Sequence, residues 1–216
     1  MSRYQSFEEL KIKSKEFVQS SKERGAYNGL RKLLTELYPD KAHFIYELLQ
    51  NAEDKEASSV AFELFNDRLV FTHNGKKRDF ILDDIDSITN IGTSTKIDDP
   101  TSIGKFGVGF KAVYSYTNTP EIHSGKYDFK IVDMLVPEDE GVSKTASAGK
   151  TQFVFPFDHD TKTPKQAVKE ITEGLLALNE NSILFLRNIH QITFRLPDGK
   201  VGGIKLEDKD LSLIHI

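Results

Sequence analysis

The chain has 216 residues, with 29 basic and 33 acidic side chains and a formal net charge of -4. The two signs are interspersed, so composition gives no reason to expect a nucleic-acid or membrane surface. Apolar residues make up 38% of the chain, which allows one sizeable core. The sequence contains no cysteine, and it shows no signal peptide and no membrane-length apolar run. A disulfide framework and secretion therefore have no support, and we expect a cytoplasmic domain.

The first segment, residues 1–25, predicts an amphipathic helix that ends near Gly25. Apolar residues recur among lysines and glutamates at Phe7, Leu10, Ile12, Phe17 and Val18. We expect this segment to pack on the domain's own core.

A second helix is predicted after Pro39, with Asp40 as its N-cap. Its apolar positions recur at three- and four-residue spacing and form one buried face. Glu47, Asn51 and Asp54 fall on a single neighbouring stripe, because their spacing is i, i+4 and i+7. A carboxylate and an amide one turn apart suit a magnesium-nucleotide site. A solvated polar stripe is the alternative interpretation.

A hairpin follows the second helix. Apolar and polar residues alternate from Val60 to Leu64, Asn66-Asp67 supplies a two-residue turn, and the chain returns from Leu69. The returning strand ends in the polar cluster His73-Asn74-Gly75. Side chains at a strand end can meet a ligand's polar edge, although Asn-Gly is usually only a turn.

Three glycines, Gly104, Gly107 and Gly109, predict a loop whose backbone N–H groups converge on an anion, before a helix over 110–116. A Walker loop is excluded, because Phe110 stands where that motif needs lysine. A Rossmann fingerprint is excluded as well, because residues 97–102 cannot be a buried strand.

The rest of the chain predicts a second hairpin, a polar loop, one helix and three further strands. These elements are Glu121–Ser124 paired with Tyr127–Val132, the loop 137–150, the strand Thr151–Phe155, the helix Pro164–Leu178, the strands Ile183–Leu186 and Ile192–Leu196, and a turn at Pro197–Lys200. The remaining histidines, including His43, His123 and His159, lack metal-ligand spacing and are interpreted as surface or capping residues.

The last six residues, 211–216, have a different character. Leu-Ser-Leu-Ile-His-Ile can be encoded by the end of a sequencing adapter, and it follows a polar stretch abruptly. We interpret it as a non-native tail and expect the native chain to continue beyond Asp210. A genuine edge strand is the alternative.

Taken together, these motifs resemble those of the Bergerat-fold ATPases of the GHKL superfamily. Glu47 to Asp54 looks like that family's asparagine box, Gly104 to Phe110 is similar to its phosphate loop, and Thr151 resembles a threonine on its later strand. The strongest likeness, spanning roughly residues 25 to 195, is to sacsin-type, chaperone-like ATPase domains. The segments that carry it are Ile91 to Lys96, Ile103 to Lys111 and Thr119 to Gly125.

This resemblance implies an α+β fold, a two-layer α/β sandwich with helices on one face of a mixed, mostly antiparallel sheet. It implies one nucleotide-binding domain over residues 1–210, with the helical segment 1–25 and a core over 26–196. In chaperone-like relatives the N-terminal segment can also reach a partner subunit, so transient homodimerisation stays open.

The resemblance also implies ATP and Mg²⁺ as cofactors. Asn51 would bind the metal, Glu47 would position and activate the attacking water, and Thr93, Ser94, Thr95 and Lys96 would form a lid. The implied nucleotide-contacting residues are Asn51, Asp54, His73, Asn74, Gly75, Thr93, Ser94, Thr95, Lys96, Gly104, Lys105, Phe106, Gly107, Val108, Gly109, Phe110, Lys111 and Thr151.

One departure concerns the base. Where the family has an aspartate that accepts a hydrogen bond from the adenine amino group, this chain has His73. A neutral histidine can accept through one ring nitrogen, and so can a water held by Asn74 or Asp54, which leaves adenine selection open.

The function that follows is slow ATP hydrolysis coupled to lid closure in a larger chaperone-like protein. The alternatives are a nucleotide-sensing scaffold with little hydrolysis, for example in defence or signalling, and a structural domain with a relic site.

Overall fold

The computed structural model describes residues 3–36, 43–75, 79–90, 109–184, 186–207 and 210–215, with side chains described for all of these except 33–36, 184, 207 and 210–215. The helices are α1 Phe7–Glu23, α2 Tyr27–Glu36, α3 Phe44–Asp54, α4 Leu82–Thr89, α5 Pro164–Leu176 and α6 Glu180–Leu184, with a 3-10 helix at Gly109–Ser115. The strands are β1 Ser59–Leu64, β2 Arg68–His73, β3 Glu121–Ser124, β4 Tyr127–Val132, β5 Val136–Glu138, β6 Thr151–Pro156, β7 Gln191–Arg195, β8 Val201–Glu207 and β9 Asp210–His215.

The strands form one mixed sheet in the order β5-β4-β3-β6-β2-β1-β7-β8-β9. Among the strands that the structure describes, β1 and β7 are the one parallel pair, and every other neighbour is antiparallel. The helices lie on one side of this sheet. The predicted fold class, an α+β two-layer sandwich with a mostly antiparallel sheet, is confirmed.

The core lies between this sheet and the helices and is rich in aromatic rings. The β1–β2 hairpin has the predicted register, with Leu64 opposite Leu69 and Phe62 opposite Phe71. The rings of Phe62 and Phe71 lie 4.7 Å apart between centroids. Because side chains alternate along a strand, Leu69, Phe71 and His73 all face inward on β2.

Helix α3 covers the centre of this core with the apolar face that its spacing predicts, formed by the buried side chains Ile45, Leu48, Leu49 and Ala52. The described helix begins at Phe44. The predicted cap, Asp40, lies outside the described residues.

Helix α1 packs on its own domain, as expected. Leu10 and Val18 are buried, although Ile12 and Phe17 are 46% and 55% exposed. The buried Lys11 fixes the helix to the end of β5, with Nζ 2.6 Å from Glu138 and 3.0 Å from Asp139.

The prediction of a strand at Ile183–Leu186 is wrong, because α6 occupies Glu180–Leu184. Asn179 begins a helical turn there, since its Oδ1 accepts the N–H of Asn181 at 2.9 Å and its own N–H donates to Ser182 Oγ at 3.2 Å. Ile183 is fully buried from this helix. A short apolar run does not distinguish a strand from a helical turn.

Three other segments differ from expectation. The helix predicted over 110–116 is the 3-10 helix Gly109–Ser115. The first residues of the predicted loop 137–150 belong to strand β5. The surface interpretation of His123 is wrong, because its ring is buried and its Nδ1 lies 2.7 Å from Asp128 Oδ1.

Residues 210–215 form edge strand β9, which pairs with β8 from Glu207 opposite Asp210 to Gly202 opposite His215. In the part of the chain that is described, no helix is long and apolar enough to cross a bilayer.

Candidate functional site

The predicted polar stripe of α3 lies at the junction between that helix and the 3-10 helix. The ring of Phe44 on α3 packs against Tyr116, just beyond the 3-10 helix, with 5.1 Å between centroids. Phe110, inside the 3-10 helix, packs on Phe153 of β6 at 5.9 Å. Both helices therefore rest on the same aromatic layer. This places Gly109, the last of the three glycines of the predicted phosphate loop, beside α3.

Glu47 and Gly109 are in direct contact at this junction. A Cβ built on Gly109 would overlap the carboxylate of Glu47, so only glycine can occupy position 109 while the carboxylate keeps this place. The sequence placed the two residues in one site, and the structure brings them together.

His43 also contacts Glu47. Its Nε2 lies 3.3 Å from Glu47 Oε1, one helical turn away, and the two side chains are 39% and 18% exposed. A histidine in this place limits the rotamers of the carboxylate. The sequence analysis missed this role because it tested histidines for metal spacing, whereas the relevant signal was the i, i+4 relation to Glu47.

Asn51, one turn after Glu47, is 6% exposed. Within the described residues its amide has no hydrogen-bond partner. An amide that the described residues leave without a partner is open to a ligand, and its oxygen is a hard donor of the kind that Mg²⁺ accepts. Asp54, the third member of the stripe, is half-buried.

Glu53, which the sequence analysis did not single out, is a buried carboxylate with a structural role. Its Oε1 accepts the backbone N–H groups of Arg187 and Asn188 at 2.8 and 2.9 Å, and its Oε2 accepts that of Ile189 at 3.1 Å. The side-chain amide of Asn188 adds a bond of 2.8 Å. Glu53 thus fixes the end of α3 to the segment before β7.

His73 is at the end of β2, directly opposite Val60 on β1 and Thr151 on β6. Its ring is 4% exposed and lies against Phe71 and Phe153. Burial, together with the positive charge of Lys55, lowers the pKa of His73 to about 4. The imidazole is therefore neutral at physiological pH.

Thr151 and Asn74, two other predicted ligand contacts, are hydrogen-bonded within the fold. Thr151 Oγ1 lies 2.7 Å from the hydroxyl of Ser124, and both side chains are buried. Asn74 Oδ1 accepts the N–H groups of Ser58 and Ser59 at 3.0 and 2.9 Å. Any contact that these side chains make with a nucleotide would be added to, or replace, these bonds.

Lys111 was expected in the phosphate loop, and its side chain points into the core. Its Nζ donates to the carbonyl oxygens of Ile88 and Met134 at 2.8 and 2.7 Å. Burial lowers the pKa of Lys111 to about 7. Lys111 thus joins the end of α4 to the β4–β5 turn. No local sequence pattern predicts this role.

The other predicted contacts fall in one segment of the chain. Residues 91–108 lie outside the described residues, and they include Thr93 to Lys96 of the predicted lid and Gly104 to Val108 of the predicted loop. These assignments stay predictions.

The described residues contain no cluster of three or more histidine, cysteine or acidic side chains that could hold a metal by itself. Magnesium in nucleotide sites commonly takes one or two protein oxygens and completes its shell with phosphate and water. The donor set here, a buried amide without a partner and a carboxylate one turn away, fits that arrangement.

Comparisons with known proteins agree with the sacsin-type resemblance. The Sacsin domain matches residues 69–155. The chain is 37% identical over 193 residues to Protein NO VEIN of Arabidopsis thaliana, covering 77% of this chain and 7% of that protein. It is 27% identical over 177 residues to Sacsin of Homo sapiens, covering 73% of this chain and 4% of that protein. The chain thus spans less than a tenth of either relative's length.

Among solved structures, the fold is similar to one described as the N terminal domain of a DNA repair protein, with a TM-score of 0.55 and 11% sequence identity. That match covers 83% of this chain and 56% of the other. At this identity the likeness concerns the fold alone. The matched domain and the two relatives together support a sacsin-like family for this chain.

Proposed function

We propose that this chain binds a magnesium-bound nucleoside triphosphate, the class to which ATP belongs, and hydrolyses it slowly. Closure of the predicted lid, which residues 93–96 would form, would drive movement in a larger chaperone-like protein. The observation that carries this proposal is the contact between Glu47 and Gly109, one helical turn from the buried amide of Asn51, which has no partner among the described residues.

Each side chain has a distinct part in this proposal. Bound magnesium would neutralise charge on the phosphates. Asn51 would hold the metal through Oδ1. Glu47, at the end of the glycine segment, would accept a hydrogen bond from the attacking water and take its proton. His43, 3.3 Å from Glu47, would act as a positioning residue that keeps the carboxylate aimed at that water.

Coupling to a larger protein is proposed from the relatives. The chain corresponds to 7% of Protein NO VEIN and 4% of Sacsin, so a domain of this kind is a small part of each relative. A nucleotide-dependent lid is a common means by which such a part moves its neighbours.

A nucleotide-sensing scaffold is the second candidate. The observation in its favour is His73, a neutral and buried residue where the family has a carboxylate. The two candidates differ in turnover and agree in binding, so a measurement of hydrolysis separates them.

The test is single-turnover hydrolysis of magnesium nucleotide with protein in excess, comparing the parent with Glu47→Gln. Glutamine preserves the shape that packs on Gly109 and removes the base. A positioned general base contributes ~10² to 10⁴ in rate, so the variant should lose about that factor while its nucleotide affinity is unchanged. Glu63→Gln, on the exposed face of β1, is the matched control. Equal slow rates for parent and Glu47→Gln, with both binding nucleotide, would favour the scaffold.

A further inference from the structure

A pocket of about 340 Å³ lies between α3 and the start of α6. This volume is within the range of ligand-binding pockets. The described residues that line it are all uncharged and are Tyr46, Gln50, Asn179, Asn181, Ser182 and Leu186. Such a lining favours an uncharged ligand, because a charged group would lose its water without gaining an ionic partner.

Helix α3 forms one wall of this pocket. Tyr46 and Gln50 are four residues apart, so their side chains share one face of the helix. Tyr46 is 39% exposed and presents a large aromatic surface to solvent. Glu47 and Asn51 lie on the neighbouring face and do not line the pocket. The pocket is therefore separate from the candidate nucleotide site.

The first turn of α6 forms the other wall. Asn179 Oδ1 accepts the backbone N–H of Asn181 at 2.9 Å, and the N–H of Asn179 donates to Ser182 Oγ at 3.2 Å. These bonds hold the turn and leave the side-chain amide of Asn181 exposed. Leu186 adds a half-buried apolar surface.

The two walls are fixed to each other by Glu53. Its carboxylate, on α3, accepts the backbone N–H groups of residues 187–189, which directly follow Leu186. The pocket is thus held open by bonds within the fold. A preformed pocket loses less conformational entropy when a ligand binds.

Three polar groups on these walls are open to a ligand. Within the described residues, the side-chain amides of Gln50 and Asn181 and the hydroxyl of Tyr46 have no hydrogen-bond partner. A primary amide carries both N–H donors and a carbonyl acceptor, so it can pair with the N–H and C=O groups of a peptide backbone. Tyrosine with asparagine and serine is also the composition of antibody loops, in which the ring supplies rigid contact area and the small polar groups adapt to a protein surface.

We propose that this pocket binds an extended, uncharged segment of another polypeptide chain. Gln50 and Asn181 bond to the backbone of that segment. Tyr46 and Leu186 contact one of its apolar side chains. The segment is extended because a helix pairs its backbone groups internally and leaves few of them for Gln50 and Asn181.

The test uses the unaltered chain, with the capped peptide acetyl-Gly-Leu-Gly-Leu-Gly-amide as the probe. NMR follows the side-chain NH₂ signals of Gln50 and Asn181 during the titration. We expect both signals to shift with the same saturating dependence on peptide, with a Kd of about 1 mM or lower. The same peptide with aspartate in place of both leucines should cause no saturable shift, because the pocket offers its charge no partner.

The variants Gln50→Ala and Asn181→Ala should each weaken binding by about fivefold, because each removes hydrogen bonds to the peptide backbone. In each variant the remaining amide reports the binding. Neither side chain is buried, so both variants should fold. Asn28→Ala removes an exposed amide on α2 and is the matched control, which should bind the peptide as the parent does.

Three results would overturn the proposal. The first is that the two amide signals do not move at ten times the expected Kd, or move equally with the aspartate peptide. The second is that the affinity is unchanged in both alanine variants, which would place the peptide elsewhere. The third is that glucose gives saturable shifts and the peptide gives none, which would assign the pocket to a neutral sugar. The titrations contain no nucleotide, so each of these results leaves the proposed function standing.

Discussion

Glu47 and Glu53 lie on the same helix, and their surroundings give them different roles. Glu53 is surrounded by N–H donors of residues 187–189, so its carboxylate is satisfied within the fold. Glu47 has His43 on one side and Gly109 on the other, at the end of the glycine segment. A carboxylate that accepts no backbone N–H group is available to hydrogen-bond water. A carboxylate that accepts several, as Glu53 does, holds two segments of the chain together.

We therefore predict a large loss of stability for Glu53→Ala. The change leaves the backbone N–H groups of Arg187, Asn188 and Ile189 without their acceptor. The bond from Ile189 is buried, and a buried donor without an acceptor costs about 1–3 kcal/mol. Chemical denaturation should show a loss of at least ~2 kcal/mol in the free energy of unfolding. The control Glu63→Ala, on the exposed face of β1, should change it by less than ~0.5 kcal/mol. Equal effects of the two substitutions would contradict the structural role.

At the scale of elements, Lys111 joins three pieces of the fold. It extends from the 3-10 helix to the carbonyls of Ile88, at the end of α4, and Met134, between β4 and β5. The segment outside the described residues, 91–108, begins just after α4 and ends where the 3-10 helix starts. Lys111 therefore ties together the two elements that flank the predicted lid and loop.

Stability should depend on pH through Lys111. Its pKa is about 7 in the folded chain against an ordinary value of 10.5, because burial disfavours the charged amine. Between these two pH values the unfolded chain binds the additional proton, so this group makes the folded state gain stability as pH rises through that window. The cost of burying the charge is fully present below about pH 7.

The measurement is the free energy of unfolding of the parent and of Lys111→Met at pH 7 to 9. The advantage of the parent over the variant should rise by up to ~1.4 kcal/mol per pH unit, the value for one proton. Lys169→Met removes an exposed lysine of α5 and should give a profile parallel to the parent's. A parallel profile for Lys111→Met as well would show that Lys111 keeps its ordinary pKa.

The sequence predicted elements well where local spacing carries the information, and less well elsewhere. The apolar period of α3 and the alternation of β1 and β2 were enough to place Glu47, Asn51 and His73. Glu53 was missed because its partners are 134 to 136 residues away, so no local pattern marks it. The helix α6 was mistaken for a strand because a short apolar run fits both.

At the scale of the whole molecule, the sheet separates the candidate site from the C-terminal edge. β9 is the last strand of the sheet, and β8, β7 and β1 lie between it and β2. His73 is on β2, and α3 packs over the central strands. A substitution or deletion in β9 should therefore affect the candidate site only by lowering the stability of the whole sheet.

Deletion of residues 211–216 tests the interpretation of that edge. If these residues are a non-native tail, the deletion should leave the melting temperature unchanged, because a foreign segment has no side-chain partners selected for it. Nucleotide affinity should be unchanged in either case. In a domain of this size 1 kcal/mol corresponds to ~2–4 °C, so a loss of several degrees in a thermal melt would show that β9 belongs to the native fold.

The most direct test of the account is a calorimetric titration of the chain with ATP and with GTP, each with and without Mg²⁺, repeated for Asn51→Ala. Gln50→Ala is the matched control, because Gln50 is the neighbouring residue on α3 and points to a different side of the helix. At least one nucleotide should bind the parent in a magnesium-dependent manner, Asn51→Ala should lose most of that affinity with its melting temperature little changed, and Gln50→Ala should bind as the parent does. Magnesium-dependent binding of equal strength in all three proteins would contradict the metal assignment, and no binding of either nucleotide to the parent would contradict the nucleotide site itself.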